Sequence, residues 1–114
     1  METARTRLTE TEARAISHFA ESVRGDQQNN LLEMRLFGSK ARGQGHPESD
    51  VDILVVVRNK SVQTGRRISE IAWKFEWDSD VPLAPIVLSE NEMRLNRTHH
   101  TLFAENIEKD GIKL

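Results

Sequence analysis

The sequence predicts a small α/β or α+β protein in which helices pack on a β-sheet. A nearly unbroken run of β-branched and other apolar residues near the middle of the chain is typical of a buried strand. Amphipathic patterns with helical spacing stand before and after this run, so helices and strands alternate along the chain. The 114 residues suffice for one hydrophobic core but not for two. We therefore expect residues 1–114 to form a single domain.

Composition excludes several classes of function. A hydrophobic share of 37% and a charged share of 30% are typical of a soluble globular protein. The formal net charge of −2 disfavours bulk nucleic-acid binding, which needs a positive field. The absence of cysteine excludes disulfides and thiolate metal sites and fits a reducing compartment. Residues Met1–Thr11 lack the apolar stretch of a secretory signal, and no segment is long enough to span a membrane, so we expect a cytoplasmic protein.

The first third of the chain indicates a helix, a strand and a loop. Thr9 and Glu12 form a capping box, and apolar residues follow at helical spacing until Gly25, which we interpret as the helix stop. Residues 31–37 predict a strand with one polar face, with a helix as the competing interpretation. Residues 38–47 contain three glycines and a proline, which predict a loop that can include one helical turn at residues 39–42.

Two further strands are predicted. Asp50–Val57 is apolar on both faces, which indicates a strand at the centre of a covered sheet. Val81–Leu88 is a shorter apolar segment interrupted by Pro82 and Pro85, and prolines inside a strand favour an edge position or a bulge. We therefore expect the first segment to be a central strand of the sheet and the second to be an edge strand.

Three further helices complete the pattern. One begins near Ser61, and a second is capped by Ser89 together with Glu92. The last begins near Thr101 and ends before Gly111, which leaves a short apolar C-terminus free to dock on the domain or to extend from it. The predicted order is helix, strand, loop, strand, helix, strand, helix, helix.

A possible reactive centre combines a Gly38-Ser39 turn with two acids, Asp50 and Asp52, at the head of the central strand. Residues two apart on a strand share one face, with α-carbons about 7 Å apart, so the two carboxylates can converge on one or two cations. Two close carboxylates repel each other, and a divalent metal removes that cost. A Gly-Ser turn entering a short helix offers backbone N–H groups and a hydroxyl to a phosphate.

Each feature alone has an ordinary explanation. An isolated Gly-Ser pair is usually a turn, and an isolated Asp-x-Asp is often a strand-edge or capping feature. Lys40 and Arg42 can add positive charge near phosphates, or can be solvated loop residues. The combination of the turn, the paired acids and the buried strand is far more specific than any of its parts.

Gly38-Ser39, ten intervening residues and then Asp50-Val51-Asp52 resemble the signature of the DNA polymerase β-like nucleotidyltransferase superfamily, in its minimal nucleotidyltransferase (MNT) branch. The resemblance implies the nucleotidyltransferase fold with a mixed sheet, Mg²⁺ at Asp50 and Asp52 as catalytic and metal-binding residues, and ATP or another nucleoside triphosphate as donor. It also implies that Gly38 and Ser39 hold the triphosphate, and that transfer of a nucleoside monophosphate releases pyrophosphate.

The chain departs from the family at one expected position. Clearly active members carry a third carboxylate on a neighbouring strand, and here that position falls at Ala84. Other acids stand nearby in the sequence but not at the matching place on the strand: Asp78, Asp80, Glu90 and Glu92. Without a third acid the nucleophile loses its expected base, so nucleotide binding is better supported than turnover.

The resemblance also implies a partner. The chain ends before a helical acceptor-binding domain can form, so the acceptor site is expected on another molecule. In the minimal branch this molecule is often a HEPN-domain ribonuclease toxin, which the chain would neutralise as an antitoxin by adding AMP. The alternative is a degenerate nucleotide-binding module that neutralises its partner by binding alone.

Overall fold

The computed structural model describes residues 8–46 and 48–114, so Met1–Arg7 of the N-terminal segment and Pro47 of the predicted loop lie outside the described residues. It shows a four-stranded sheet with helices on both faces, which confirms the predicted fold class. In chain order the elements are α1 (Glu10–Gln27), a 3₁₀ turn (Gln28–Asn30), β1 (Leu31–Phe37), α2 (Gly38–Ala41), β2 (Val51–Val57), α3 (Val62–Ser79), β3 (Leu83–Ser89), α4 (Glu90–Thr98), α5 (Leu102–Asp110) and β4 (Ile112–Lys113).

The sheet is mixed and has the strand order β3-β2-β1-β4. Strand β1 is antiparallel to both β2 and β4, whereas β2 and β3 are parallel. The apolar segment β2 lies inside the sheet, and residues 53–57 of this strand are buried on both faces, as its sequence predicts. Residues 31–37 form a strand, so the competing helical interpretation is wrong.

Strand β3 occupies an edge of the sheet, which confirms the interpretation of its prolines. Pro85 lies within the strand and is registered with Ile53 of β2. Pro82 precedes the strand, and its carbonyl oxygen accepts a hydrogen bond of 2.8 Å from the N–H of Val51. This hydrogen bond attaches the segment just before β3 to the start of the central strand β2.

Helices α1 and α3 cover one face of the sheet, where the larger core lies. Helices α4 and α5 cover the other face around a smaller core that includes Leu54, Val56, Met93 and Ile107. Successive side chains of a strand point to opposite faces, so Asp52 shares the α4/α5 face with Leu54 and Val56. Within residues 8–46 and 48–114, every helix is too short or too polar to traverse a lipid bilayer.

The predicted capping boxes at Thr9 and Ser89 are both present. The prediction that Gly25 ends the first helix is wrong, because α1 continues to Gln27 and ends where Gln28 adopts a φ of +46°. A glycine inside a helix costs only about 1 kcal/mol relative to alanine. The buried apolar stripe of α1 and an ion pair between Asp26 and Arg67 of α3 outweigh this cost.

The C-terminus docks on the sheet, which resolves the alternative left open by the sequence. Ile112 and Lys113 pair with β1, and the N–H of Leu114 donates a hydrogen bond of 3.1 Å to the carbonyl oxygen of Met34. Two partly buried apolar side chains, Ile112 and Leu114, pack against the core beneath α1. The last residues therefore form the second edge of the sheet.

Candidate functional site

The turn after β1 lies in direct contact with the carboxylate of Asp52. Strand β1 ends at Phe37, and the next residue, Gly38, has a positive φ of 77°. A Cβ at Gly38 would overlap Oδ2 of Asp52 and lie 3.2 Å from its Cγ. Glycine is thus needed here both for the backbone conformation and for the close approach of the acid. The structure brings the Gly-Ser turn and one of the two predicted acids together.

Asp52 and Asp50 form a locally anionic pair. Asp52 is partly buried at the head of β2, whereas Asp50 is exposed just before the strand. Burial raises the pKa of the Asp52 carboxyl, the negative charge of Asp50 raises it further, and the positive charge of Arg42 opposes both effects. The two acids are therefore close enough to repel each other, which is the cost that a bound divalent cation relieves.

The donor set suits Mg²⁺. Mg²⁺ is usually held by one or two carboxylates together with phosphate oxygens and water, and Asp50 and Asp52 supply two hard oxygen donors. In the part of the chain that the structure describes, no group of three or more His, Cys, Asp or Glu residues is arranged to hold a metal ion. The chemistry of these two carboxylates is thus compatible with Mg²⁺.

Helix α2 is a single turn that carries the first part of the predicted phosphate-binding segment. The N–H of Gln44 donates a hydrogen bond of 2.9 Å to the carbonyl oxygen of Ser39, and the N–H of Arg42 donates one of 3.2 Å to that of Gly38. These bonds fold the segment back toward the Gly38-Ser39 turn. The sequence prediction of one helical turn in this loop is confirmed.

Lys40 lies in neither of the environments that the sequence suggested. Its side chain is buried, with Nζ 2.5 Å from Oε2 of Glu12 and 2.8 Å from the carbonyl oxygen of His46. Burial raises the pKa of Glu12, but hydrogen bonds from Lys40 and from the Thr9 N–H and the Lys40 charge lower it more. The ammonium group thus ties α2 and the following loop to the first turn of α1.

Glu12 is the residue near this site that sequence reasoning missed. The capping box identified Glu12 only as a helix-start residue, and its Oε1 does accept a hydrogen bond of 2.9 Å from the Thr9 N–H. Its second oxygen accepts from Lys40, which is 28 residues away in the chain. No local pattern signals a contact between residues so far apart.

Arg42 remains beside the candidate site. Its side chain is exposed and donates a hydrogen bond of 3.2 Å from Nε to Oε1 of Gln44. Its charge lowers the pKa of Asp52, so the guanidinium is near enough to act on that carboxylate. Of the two cationic residues in the segment, Arg42 therefore stays exposed, whereas Lys40 is buried against Glu12.

Ala84 stands directly beside Asp52 in the parallel β2–β3 pair. Registered residues of neighbouring strands project to the same face of a sheet, so the Ala84 methyl group occupies the place where a third carboxylate was expected. Glu90 and Glu92 follow Ser89, which is registered with Val57 at the opposite end of β2. They cannot replace the missing acid.

Comparison with known proteins identifies the family and finds other proteins with the same fold. The family model of the nucleotidyltransferase domain matches residues 16–114. A curated Methanocaldococcus jannaschii protein, provisionally named a protein adenylyltransferase, is 28% identical over 100 residues, covering 87% of this chain and 94% of that protein. A solved structure provisionally described as a minimal nucleotidyltransferase has a TM-score of 0.58 and 20% identity, covering 93% of this chain and 97% of that chain.

A chain of a toxin-antitoxin crystal structure with AMP-PNP has a TM-score of 0.57 and 22% identity, covering 83% of this chain and 68% of that chain. At such low identity the solved structures show a shared fold, and the match of the family model extends over most of the sequence. The chain therefore belongs to the nucleotidyltransferase domain family.

Proposed function

We propose that the chain binds a nucleoside triphosphate with Mg²⁺ between the Gly38-Ser39 turn and Asp50 and Asp52, and transfers AMP from ATP to a partner protein. The observation that carries this proposal is the overlap that a Cβ at Gly38 would make with the Asp52 carboxylate. A phosphate-binding turn and a cation-binding acid are useful together only when one ligand touches both. Because the two lie against each other, one ligand can touch both.

The proposal gives five residues at or near the turn a role in binding. Asp50 and Asp52 hold Mg²⁺, the backbone of Gly38 and the hydroxyl of Ser39 hold the triphosphate, and Arg42 adds positive charge. When bound, Mg²⁺ neutralises phosphate charge that develops during displacement. A hydroxyl oxygen of the acceptor forms a bond to the α-phosphorus. The bond between the α-phosphorus and the oxygen that bridges it to the β-phosphate breaks, so pyrophosphate leaves. The hydroxyl proton passes to a base supplied by the partner or by solvent.

The choice of acceptor and donor is supported by the relatives. A similar protein is named a protein adenylyltransferase, and a similar fold occurs in a toxin-antitoxin structure with AMP-PNP. We propose accordingly that the chain is a cytoplasmic antitoxin, and that its partner is a HEPN-domain ribonuclease toxin. In this proposal the partner supplies the acceptor hydroxyl.

Calorimetry with ATP and Mg²⁺ tests the nucleotide site. We expect saturable binding that weakens by about tenfold or more when Asp52 is replaced by Asn, which removes a ligand of the cation, or when a chelator removes the cation itself. Asp78→Asn removes an exposed acid from α3 and should leave the affinity unchanged. Equal affinity in wild type and Asp52→Asn would contradict the site.

The second candidate function, binding without transfer, is favoured by Ala84 beside Asp52. Mass spectrometry of the co-expressed HEPN-domain partner separates the two functions. Transfer predicts a mass gain of one or more AMP units with the wild-type chain and none with the Asp50→Asn/Asp52→Asn variant. Tight association of an unmodified partner with both chains would instead identify an inhibitor that acts by binding alone.

A further inference from the structure

Two tryptophans on the outer face of α3 are left out of the core. Trp73 is 66% exposed and Trp77 is 77% exposed, although their rings stack on each other with centroids 5.8 Å apart and an interplanar angle of 29°. Folding normally removes such large apolar rings from water, and exposed aromatic pairs are typical of surfaces that contact another molecule. The stacking holds both rings in place with their outer faces free.

This pair lies away from the candidate nucleotide site. Helix α3 packs its buried residues Ile68 and Ala72 against the core shared with α1, on the sheet face opposite the one that carries Asp52. Trp73 and Trp77 point away from that core. A molecule bound to the rings would therefore leave the turn at Gly38 accessible.

Carboxylates border the two rings. Glu76 follows Trp73 by three residues and Asp80 follows Trp77 by three residues, which makes each acid a surface neighbour of a ring. These four residues line a shallow depression of about 290 Å³. One oxygen of Glu76 accepts a hydrogen bond of 3.3 Å from the N–H of Leu83, and Asp80 is exposed at the helix end.

The helix end adds negative potential at the same place. The last turn of α3 contains no basic residue, whereas α1, α4 and α5 carry Arg24, Arg97 and Lys109 in theirs. The partial negative charge of a helix C-terminus attracts a cation. The last turn of α3 has no positively charged side chain of its own to meet this charge. Between residues 70 and 80 the chain has four acids and a single lysine.

We propose that Trp73, Trp77, Glu76 and Asp80 form a docking site for an arginine side chain of a partner protein. A planar guanidinium can stack on an indole face and donate hydrogen bonds to carboxylates at its edge, which a compact ammonium cannot do as well. The exposed rings supply the stacking surface, and the two acids with the helix end supply the opposite charge. The proposal requires neither nucleotide binding nor transfer.

Tryptophan fluorescence tests the docking site directly, because the sequence contains only these two tryptophans. We expect a saturable change in emission on titration with a hexa-arginine peptide, with weaker binding of a hexalysine peptide. The Glu76→Gln/Asp80→Asn variant should weaken binding by about fivefold or more. Asn is a suitable replacement at position 80, whose φ is +60°.

Two control variants separate this site from others. Glu105→Gln/Asp110→Asn removes two charges from α5 and should leave peptide binding unchanged. Asp50→Asn/Asp52→Asn should also retain the response, even if nucleotide binding is lost or never present. The proposal is overturned by an unchanged emission, by equal affinity in the Glu76→Gln/Asp80→Asn variant, or by equal affinity for both peptides. An emission shift that depends on protein concentration without peptide would also overturn it, since a second copy would then cover the rings.

Discussion

Replacing Lys40 with Met should lower the free energy of unfolding by about 3–5 kcal/mol, because the change leaves the Glu12 carboxylate buried without its partner. The side chains of Lys40 and Glu12 are only 6% and 9% exposed, so water cannot replace the lost ammonium group. Met keeps most of the chain volume, which limits the effect to charge and hydrogen bonding. Urea denaturation measures the loss.

Two further variants make this experiment specific. Lys109→Met changes an exposed lysine of α5 and should alter stability by less than about 0.5 kcal/mol. Glu12→Gln keeps the capping box, and in combination with Lys40→Met it should recover part of the loss, because no unpaired charge remains. A double variant no more stable than Lys40→Met alone would argue against the ion pair as the cause.

The ion pair also predicts how the loss depends on pH. The pKa of Glu12 is lowered in the folded protein from its ordinary value of 4.5, so the carboxylate stabilises the fold fully above that value. This stabilisation is lost as pH falls through the lowered value. The difference between wild type and Lys40→Met should therefore shrink in acid, and a constant difference would contradict the assignment.

Gly38→Ala should abolish Mg²⁺-dependent ATP binding and lower the free energy of unfolding by about 1–3 kcal/mol. The new methyl group must displace the Asp52 carboxylate with which it overlaps, and the backbone there has a φ of +77°. Calorimetry and denaturation measure the two effects on one variant.

Gly25→Ala is the matched control for this change. A Cβ at Gly25 meets nothing within 4 Å, and the residue lies inside α1. Alanine there should raise the free energy of unfolding by about 0.5–1 kcal/mol and leave ATP binding unchanged. ATP binding by Gly38→Ala with wild-type affinity would show that the contact between Gly38 and Asp52 is not needed for the site.

The elements that sequence analysis predicted are those with local causes. Such local causes are the run of β-branched residues in β2, the prolines before and within β3, and the capping residues Thr9 and Ser89, each of which acts on the backbone within a few residues. The prediction at Gly25 is wrong because the tendency of glycine to end a helix is opposed by the packing of α1 in the folded protein. That packing cannot be read from the local sequence. The partner of Lys40 was invisible for the same reason, since Glu12 lies 28 residues earlier.

The candidate site shows the same division. The motif predicts a Gly-Ser turn followed by two acids, and the family resemblance implies that the position of the third acid falls at Ala84. Spacing could not show that Asp50 is exposed while Asp52 is partly buried, because this depends on where β2 begins in the folded sheet. Nor could it show which of Lys40 and Arg42 turns inward.

The two outer strands of the sheet limit how this protein can assemble with others. Pro85 in β3 has no N–H group to offer to an added strand, and β4 contains only Ile112 and Lys113. In the part of the chain that the structure describes, one edge is interrupted by a proline and the other is only two residues long, and both features disfavour β-augmentation and fibril-like stacking of copies. Recognition is left to side chains on the helices and loops, where contacts can form and dissociate without rearranging the backbone.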